Sequence, residues 1–433
     1  MLMYFSTHNP GMRKLILLLS CVGFLLNCAA QSKDKYILLK PDRVFDGEKM
    51  HTGWVVLVKN DSILQAGEMT FKLPAGSQVV ELKGCTLLPG LIEGHSHLYL
   101  HPYNETVWSD QVLKESRAER TARAVNHAKA TLLAGFTTVR DLGTEGAMYD
   151  DVGLKKAIEK KVIPGPRMIV STRAIVATGT YAPRPASPDV EYPQGAEEVA
   201  GLDEMTKVIR SQISHGADFI KLYADYQYGP NGQTQPTFSD IELAWAVNLT
   251  NTSGRKTVAH ATSPDGMKRA ILAGVNTIEH GDGGTEEIFS LMKERNVAFC
   301  PTLAASEAVE SYKGWKKGVD PDTKLIVEKK KSFTAAIKSG VTICMGGDVG
   351  VFTHGDNARE MELMVDYGMT PLDVIRSTTS INADVFGYAN KIGRIKPGLL
   401  ADIIAVEGDP TTNVRNIRNV KLVIKDGIIY KQP

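Results

Sequence analysis

At 433 residues with 43% hydrophobic content, the chain has apolar material for a large core: several average domains, or one barrel with an accessory lobe. Lys and Arg number 50 against 49 Asp and Glu, with no block of five or more basic residues, so nucleic acid and anionic membrane surfaces are excluded as electrostatic partners. The five cysteines, Cys21, Cys28, Cys85, Cys300 and Cys344, show neither CxxC spacing nor a disulfide framework, which argues against a cysteine-based zinc site.

Residues 1–30 read as an export signal. Met12-Arg13-Lys14 supplies a positive n-region and Leu15 to Leu26 an apolar h-region. That run falls short of the ~20 apolar residues a spanning helix needs. Leu25-Leu26-Asn27-Cys28 resembles a bacterial lipobox, whose cysteine carries a lipid anchor, although Asn27 departs from the small residue usual there. Plain cleavage after Ala30 is the alternative, and both readings place the protein in the periplasm or cell envelope.

From Lys35 the texture is β-rich. Tyr36-Ile37-Leu38-Leu39, Trp54 to Val58 and Ser62 to Gln65 are short apolar runs separated by the turn formers Asp46-Gly47 and Asn60-Asp61. The C-terminal end repeats the pattern in Ala401 to Val406, Val420 to Ile424 and Asp426 to Tyr430. The expectation is one small β-sandwich domain assembled from both termini, residues 31–87 and 389–433.

The middle, residues 88–388, alternates. Apolar runs end at His95 and His97, then recur at Thr137–Arg140, Arg167–Val170, Phe219–Tyr223, Thr257–His260, Asn276–His280, Val297–Cys300 and Val341–Met345, eight in all. Amphipathic helices are expected between them, among them Ser116 to Ala134, Asp240 to Ser253, Pro264 to Ala273 and Thr323 to Ser339, with Gly135, Gly216, Gly274 and Gly340 near their stops. Repeated β-then-α units predict an α/β fold, a (β/α)8 TIM barrel. The alternative, a doubly wound open sheet, lacks a GxGxxG after its first strand. Thr178 to Gly201, rich in Pro and Gly, is expected to form a loop over the barrel mouth.

In such barrels chemistry sits at the C-terminal ends of the strands. His95 and His97 are two residues apart, so an extended chain turns both imidazoles to one face, as a divalent metal requires. Lys221, His260, His280 and Asp348 fall at or just past the ends of later runs. Each has an ordinary alternative. The histidine pair could be a surface pair, His260 and His280 hydrogen-bonded core histidines, Asp348 a turn aspartate and Lys221 a snorkelling lysine. The set argues for shared chemistry where each member alone does not.

With these residues in place the chain resembles the amidohydrolase superfamily from Lys35 onward, and within it the imidazolonepropionase-like and metal-dependent prolidase branch. The resemblance rests on Leu88-Pro89-Gly90-Leu91-Ile92-Glu93-Gly94-His95-Ser96-His97, Phe219-Ile220-Lys221-Leu222-Tyr223, Ile278-Glu279-His280-Gly281 and Thr353-His354-Gly355-Asp356-Asn357. It implies two divalent metal ions. His95, His97, Asp348 and a Lys221 carboxylated by carbon dioxide would hold one, and the carbamate, His260 and His280 the other. Nitrogen and oxygen ligands suit Zn2+ best. A single metal on His95, His97, His260 and Asp348 stays open as the alternative. Two cations make hydroxide available near neutral pH. Asp348 would shuttle its proton to the leaving nitrogen of a small-molecule substrate, a dipeptide or N-acyl amino acid. Hydrolysis of a cyclic amide or lactone, and a non-catalytic binding lipoprotein, are the competing readings. Tyr223 and His354 are candidate substrate contacts. Arg173 matches a segment that in related dipeptidases reaches a histidine after Thr-Gly, whereas here Thr178-Gly179-Thr180-Tyr181 has none. Homo-oligomers are an expectation of the same resemblance.

Overall fold

The structure, a computed structural model, describes residues 34–183 and 189–433. The expected export segment, with Cys28, lies outside them. The fold is mixed α/β. Strands β1 (Tyr36–Phe45), β2 (Met50–Thr52), β3 (Val55–Lys59), β4 (Ser62–Gly67) and β5 (Gln78–Pro89) come first. The middle carries β6 (Leu91–Ser96), β7 (Phe136–Asp141), β8 (Arg167–Val170), β9 (Ile175–Ala177), β10 (Glu197–Val199) and β11 (Phe219–Tyr223). It continues with β12 (Asp225–Gln227), β13 (Thr234–Pro236), β14 (Lys256–Ala261), β15 (Thr277–His280) and β16 (Ala298–Cys300). The chain ends in β17 (Ile403–Glu407), β18 (Val420–Lys425) and β19 (Ile428–Lys431).

Both ends meet in one sheet of order β19-β18-β17-β5-β1-β3-β4, with β2 paired to β1. Alternating apolar side chains such as Leu39, Val56, Leu87, Ile403 and Leu422 bury one continuous core against it. Strand β5 leaves this sheet and, across Gly90, becomes β6. A Cβ at Gly90 would sit 2.0 Å from Thr137 Oγ1, so only glycine lets the chain pass β7 there. Arg167 at the start of β8 ties back to the small sheet through Asp402 (3.2 Å) and Asp426 (2.5 Å).

In the middle, β6-β7-β8 and β11-β14-β15-β16 are parallel ladders. The Asp218 N–H donates to the Val170 carbonyl (2.7 Å), joining β8 to the start of β11. The run Val341–Met345, expected as a regular strand, makes a single bridge instead, Ile343 to Phe299, and a second bridge, Val349 to Ser96, lies beyond it. Its backbone still connects β16 to β6: Cys344 N–H donates to Phe299 O (2.7 Å) and Gly94 N–H to Met345 O (3.1 Å). Just beyond the run, Asp348 turns into the left-handed region (φ 61°). Gly346 makes the approach feasible, since a Cβ there would lie 2.4 Å from Cys300 Sγ.

Helices form where the periodicity predicts. Arg117–Leu133 is capped by Ser116, Asp240–Thr252 by a Ser239–Glu242 capping box, Pro264–Ala273 by Ser263 and Lys324–Ser339 by Thr323. Along β11, Ile220 and Leu222 join the helix-covered core, whereas Phe219 packs with Ile92, Val258, Cys300 and Cys344. Alternation therefore puts Lys221 and Tyr223 on the inner side with Phe219. In the segment expected as a loop over the mouth, Glu197–Val199 pairs with β9 as a short strand.

Candidate metal centre and substrate cavity

Six side chains, two of them from the end of β6, lie at one end of the parallel strands. His95 closes β6, with His97 just past it; Lys221 lies in β11, His260 in β14, His280 ends β15, and Asp348 follows the 341–345 run. His95 Nε2 and His97 Nε2 approach Asp348 Oδ1 at 3.5 and 3.3 Å. The ring centroids of His95 and His280 are 5.0 Å apart, and those of His260 and His280 4.4 Å. His280, Asp348 and Thr302 all have positive φ (73°, 61° and 51°), a backbone cost that surrounding structure must hold in place.

The far nitrogens fix how each ring faces. His97 Nδ1–H donates to the Gly143 carbonyl (2.8 Å), His95 Nδ1–H to Glu279 Oε2 (2.9 Å), and His280 Nδ1 pairs with Thr302 Oγ1 (2.8 Å). These partners turn the Nε2 lone pairs of the three rings away from the scaffold, as metal-binding histidines require. Beneath, Arg140 donates to Glu279 Oε1 (2.7 Å) and to the Gly94 carbonyl (2.7 Å). Burial would raise the Glu279 carboxyl, but Arg140, His95 and Lys221 hold it well below the usual carboxylate range. Glu93 accepts from the N–H groups of His95 (3.0 Å) and Gly347 (2.8 Å) and from Asn357 Nδ2 (2.8 Å), locking together the turns that carry His95 and Asp348. Burial pushes its carboxyl up to about 7.

The donor set fits a cation. Asp348 Oδ1 and His260 Nδ1 are buried without a hydrogen-bond partner among the described residues. Burial opposes ionisation of both Asp348 and His97, yet their proximity wins: Asp348, beside His95 and His97, is held well below its ordinary value, and His97 is raised to about 9. A proton on His97 answers the same negative charge that a divalent ion would answer. His95, by contrast, is lowered to about 4 by burial, with Lys221 adding to the effect. Lys221 is fully buried and pairs with no carboxylate within 4.0 Å among the described residues. Burial brings its ammonium down to about 8, against the pull of Glu279 and Asp348. The neutral amine is thus within reach near physiological pH.

Around these groups lies a cavity of about 240 Å³. Tyr223 lines it, stacked on His260 with centroids 4.4 Å apart and planes 12° apart. His354 does not reach it. Its Nε2–H donates to the Leu100 carbonyl (3.1 Å) and its ring stacks on His127 of the Arg117–Leu133 helix (4.3 Å), so the expected substrate contact is corrected to a packing position. The loop after Asp348 folds outward between that helix and the strand ends, which the spacing of the motif alone does not disclose. Arg173 bonds to Ala196 O and Glu197 and stays out of the cavity. Tyr181, at the place where related dipeptidases were expected to carry a histidine, lines the cavity instead. Sequence reasoning missed Glu279, Arg140, Glu93, Glu145 and Tyr181. For Glu93 and Glu279 a signal existed: both sit within two residues of a ligand candidate in strands whose burial leaves no room for an idle charge.

Residues 86–429 match the model of the Amidohydrolase family. Ochratoxinase of Aspergillus niger is 29% identical over 382 residues, spanning 80% of this chain and 76% of the relative. A solved Xaa-Pro dipeptidase with methionine bound in its active site superposes with a TM-score of 0.82 at 30% identity, covering 92% of this chain and 100% of that one. The solved A. niger ochratoxinase gives 0.78 at 25% identity, with 93% and 97% covered.

Proposed function

The chain belongs to the Amidohydrolase family and is a hydrolase of carbon–nitrogen bonds, and from that premise we propose a dipeptidase or N-acyl amino acid hydrolase working on two divalent ions. The observation that carries this reading is the convergence of His95 Nε2 and His97 Nε2 on Asp348 Oδ1. His95, His97, Asp348 and a carboxylated Lys221 hold one ion, and Lys221, His260 and His280 the other, with zinc the best match to these donors. The parallel strands are read as a (β/α)8 barrel of residues 88–388 and the small sheet as a composite β-sandwich of 31–87 and 389–433. The first thirty residues are read as an export signal, ending either before a lipid-anchored Cys28 or after Ala30, and the mature enzyme as a homo-oligomer of the envelope.

Bound there, the ions supply an activated water and polarise the scissile carbonyl. The chain does the rest. Asp348 is anionic and sits where a proton is released, so it accepts that proton and returns it to the leaving nitrogen. His95 and His97 stay oriented through Glu279 and the Gly143 carbonyl. Tyr223 offers a hydroxyl to the substrate carbonyl or carboxylate at the cavity wall. The test is a panel of dipeptides, N-acyl amino acids and lactones, each acid-bearing member also with its C-terminal carboxylate blocked. Turnover confined to free-carboxylate amides is the expected result. Preference for lactones or cyclic amides, or indifference to the blocking group, would overturn the dipeptidase reading.

A further inference from the structure

Among the described residues, the cavity lining contains three carboxylates, Glu145, Asp282 and Asp348, and no lysine or arginine. Two of the three are accounted for. Asp348 belongs with the histidines, and Asp282 meets Lys329 Nζ at 2.5 Å. Glu145 is 2% exposed and has no ion-pair partner among the described residues. Both donors that reach it are neutral, and both land on one oxygen: the Tyr181 hydroxyl (2.7 Å) and the Trp108 indole N–H (2.9 Å) donate to Oε2. Among the described residues, Oε1 is buried with no partner.

The backbone around this carboxylate is held firmly. Arg120 donates to the carbonyls of Glu145 (2.7 Å), Thr144 (2.9 Å) and Tyr99 (3.0 Å), but not to the carboxylate. Glu145 itself takes a left-handed conformation (φ 48°). Two residues earlier, the Gly143 carbonyl holds His97, so the loop that orients a metal-ligand candidate also sets the place of Glu145. Beside it, Tyr181 packs against Tyr223 (4.8 Å) and Tyr226 (5.0 Å), and all three tyrosines line the cavity. A buried anion left with an empty acceptor is costly unless a ligand completes it.

We propose that Glu145 is a specificity-determining residue whose Oε1 receives a cationic nitrogen of the substrate. The substrates favoured are amides bearing an ammonium group, supplied by a free α-amino terminus or by a lysine-type side chain. This deepens the amide-hydrolase reading of the same cavity and rests on it.

The experiment uses matched pairs on the metal-loaded enzyme. One pair is a dipeptide with free and with acetylated α-amino group; the other is an N-acyl dipeptide with lysine and with norleucine at the same position. The wild type is expected to prefer the cationic member of one pair in kcat/KM by roughly tenfold to a hundredfold, and which pair shows it identifies the source of the ammonium. In Glu145→Gln, which keeps the acceptor for Tyr181 and Trp108, that ratio falls to near unity. Equal or inverted preference in the wild type overturns the proposal, as does a ratio that survives the substitution. If no member is turned over, the dipeptidase reading fails, and calorimetric binding of the same pairs decides on Glu145. Tighter binding of a cationic member to the wild type, lost in Glu145→Gln, upholds its role. Equal binding removes it.

Discussion

The stretch Gln78–His97 passes through two regions built on opposite terms. Within the small sheet its buried side chains are mostly apolar, Leu82, Cys85, Leu87 and Leu88 packing on apolar partners, with Thr86 the buried polar exception. A few residues on, past Gly90 and the apolar Leu91 and Ile92, its buried side chains turn polar, with Glu93, His95, Ser96 and His97. There packing gives way to directed hydrogen bonds, opposed charges and acceptors left empty. The first region holds its shape by area removed from water and has no chemistry to do. The second is held by a network with positions left open, among the described residues, at Asp348 Oδ1 and His260 Nδ1, where a cation would fit. The contrast teaches that the small sheet and the β-strand core are the anchor against which a strained, charge-rich rim is kept in position.

Substitutions on the two sides should therefore fail differently. Asp348→Asn removes the carboxylate that the rim is arranged around. It is expected to lower kcat/KM by roughly 10³-fold, with little change in thermal midpoint, in steady-state assays paired with thermal unfolding. Leu87→Ala in the small sheet should do the reverse. Deleting a fully buried leucine costs about 2–5 kcal/mol, read by denaturant unfolding, while activity per folded molecule is retained. A loss of activity without loss of stability there would break the comparison.

Much of this arrangement was legible in the sequence, and the reasons are specific. Ser116 and Thr323 mark helix starts legibly because the cap residue is local chemistry. His260 and His280 are legible because each ends an apolar run. Lys221 is legible because period-two alternation fixes its face once the strand is found. The Val341–Met345 run misled in detail: an apolar run announces extended chain, but not that its pairing is one bridge at Ile343 rather than a full ladder. His354 was misplaced because the path of the loop after Asp348 is decided by packing against His127, a residue far away in the chain. Glu145 and Tyr181 come from loops whose course has no periodic signature, and they meet only in space.

Smaller effects sharpen the same contrast. Stripping the ions with a chelator should abolish activity and lower stability by about 2.7 kcal/mol if free metal stood at a hundred times its dissociation constant. Near-native circular dichroism after stripping, and recovery on adding zinc, would locate that loss at the rim. Arg167→Met severs the tie from β8 to Asp402 and Asp426. It should cost about 1–3 kcal/mol in unfolding experiments and leave kcat/KM close to wild type, because it acts at the opposite end of the strand from the histidines.

The central claim, that Lys221 is the shared ligand of two ions, is tested most directly by counting metal in the purified protein and in Lys221→Ala by elemental analysis. The account predicts two equivalents per chain in the wild type, falling to one in the variant. One equivalent in both would contradict it and leave a single ion among the histidines and Asp348.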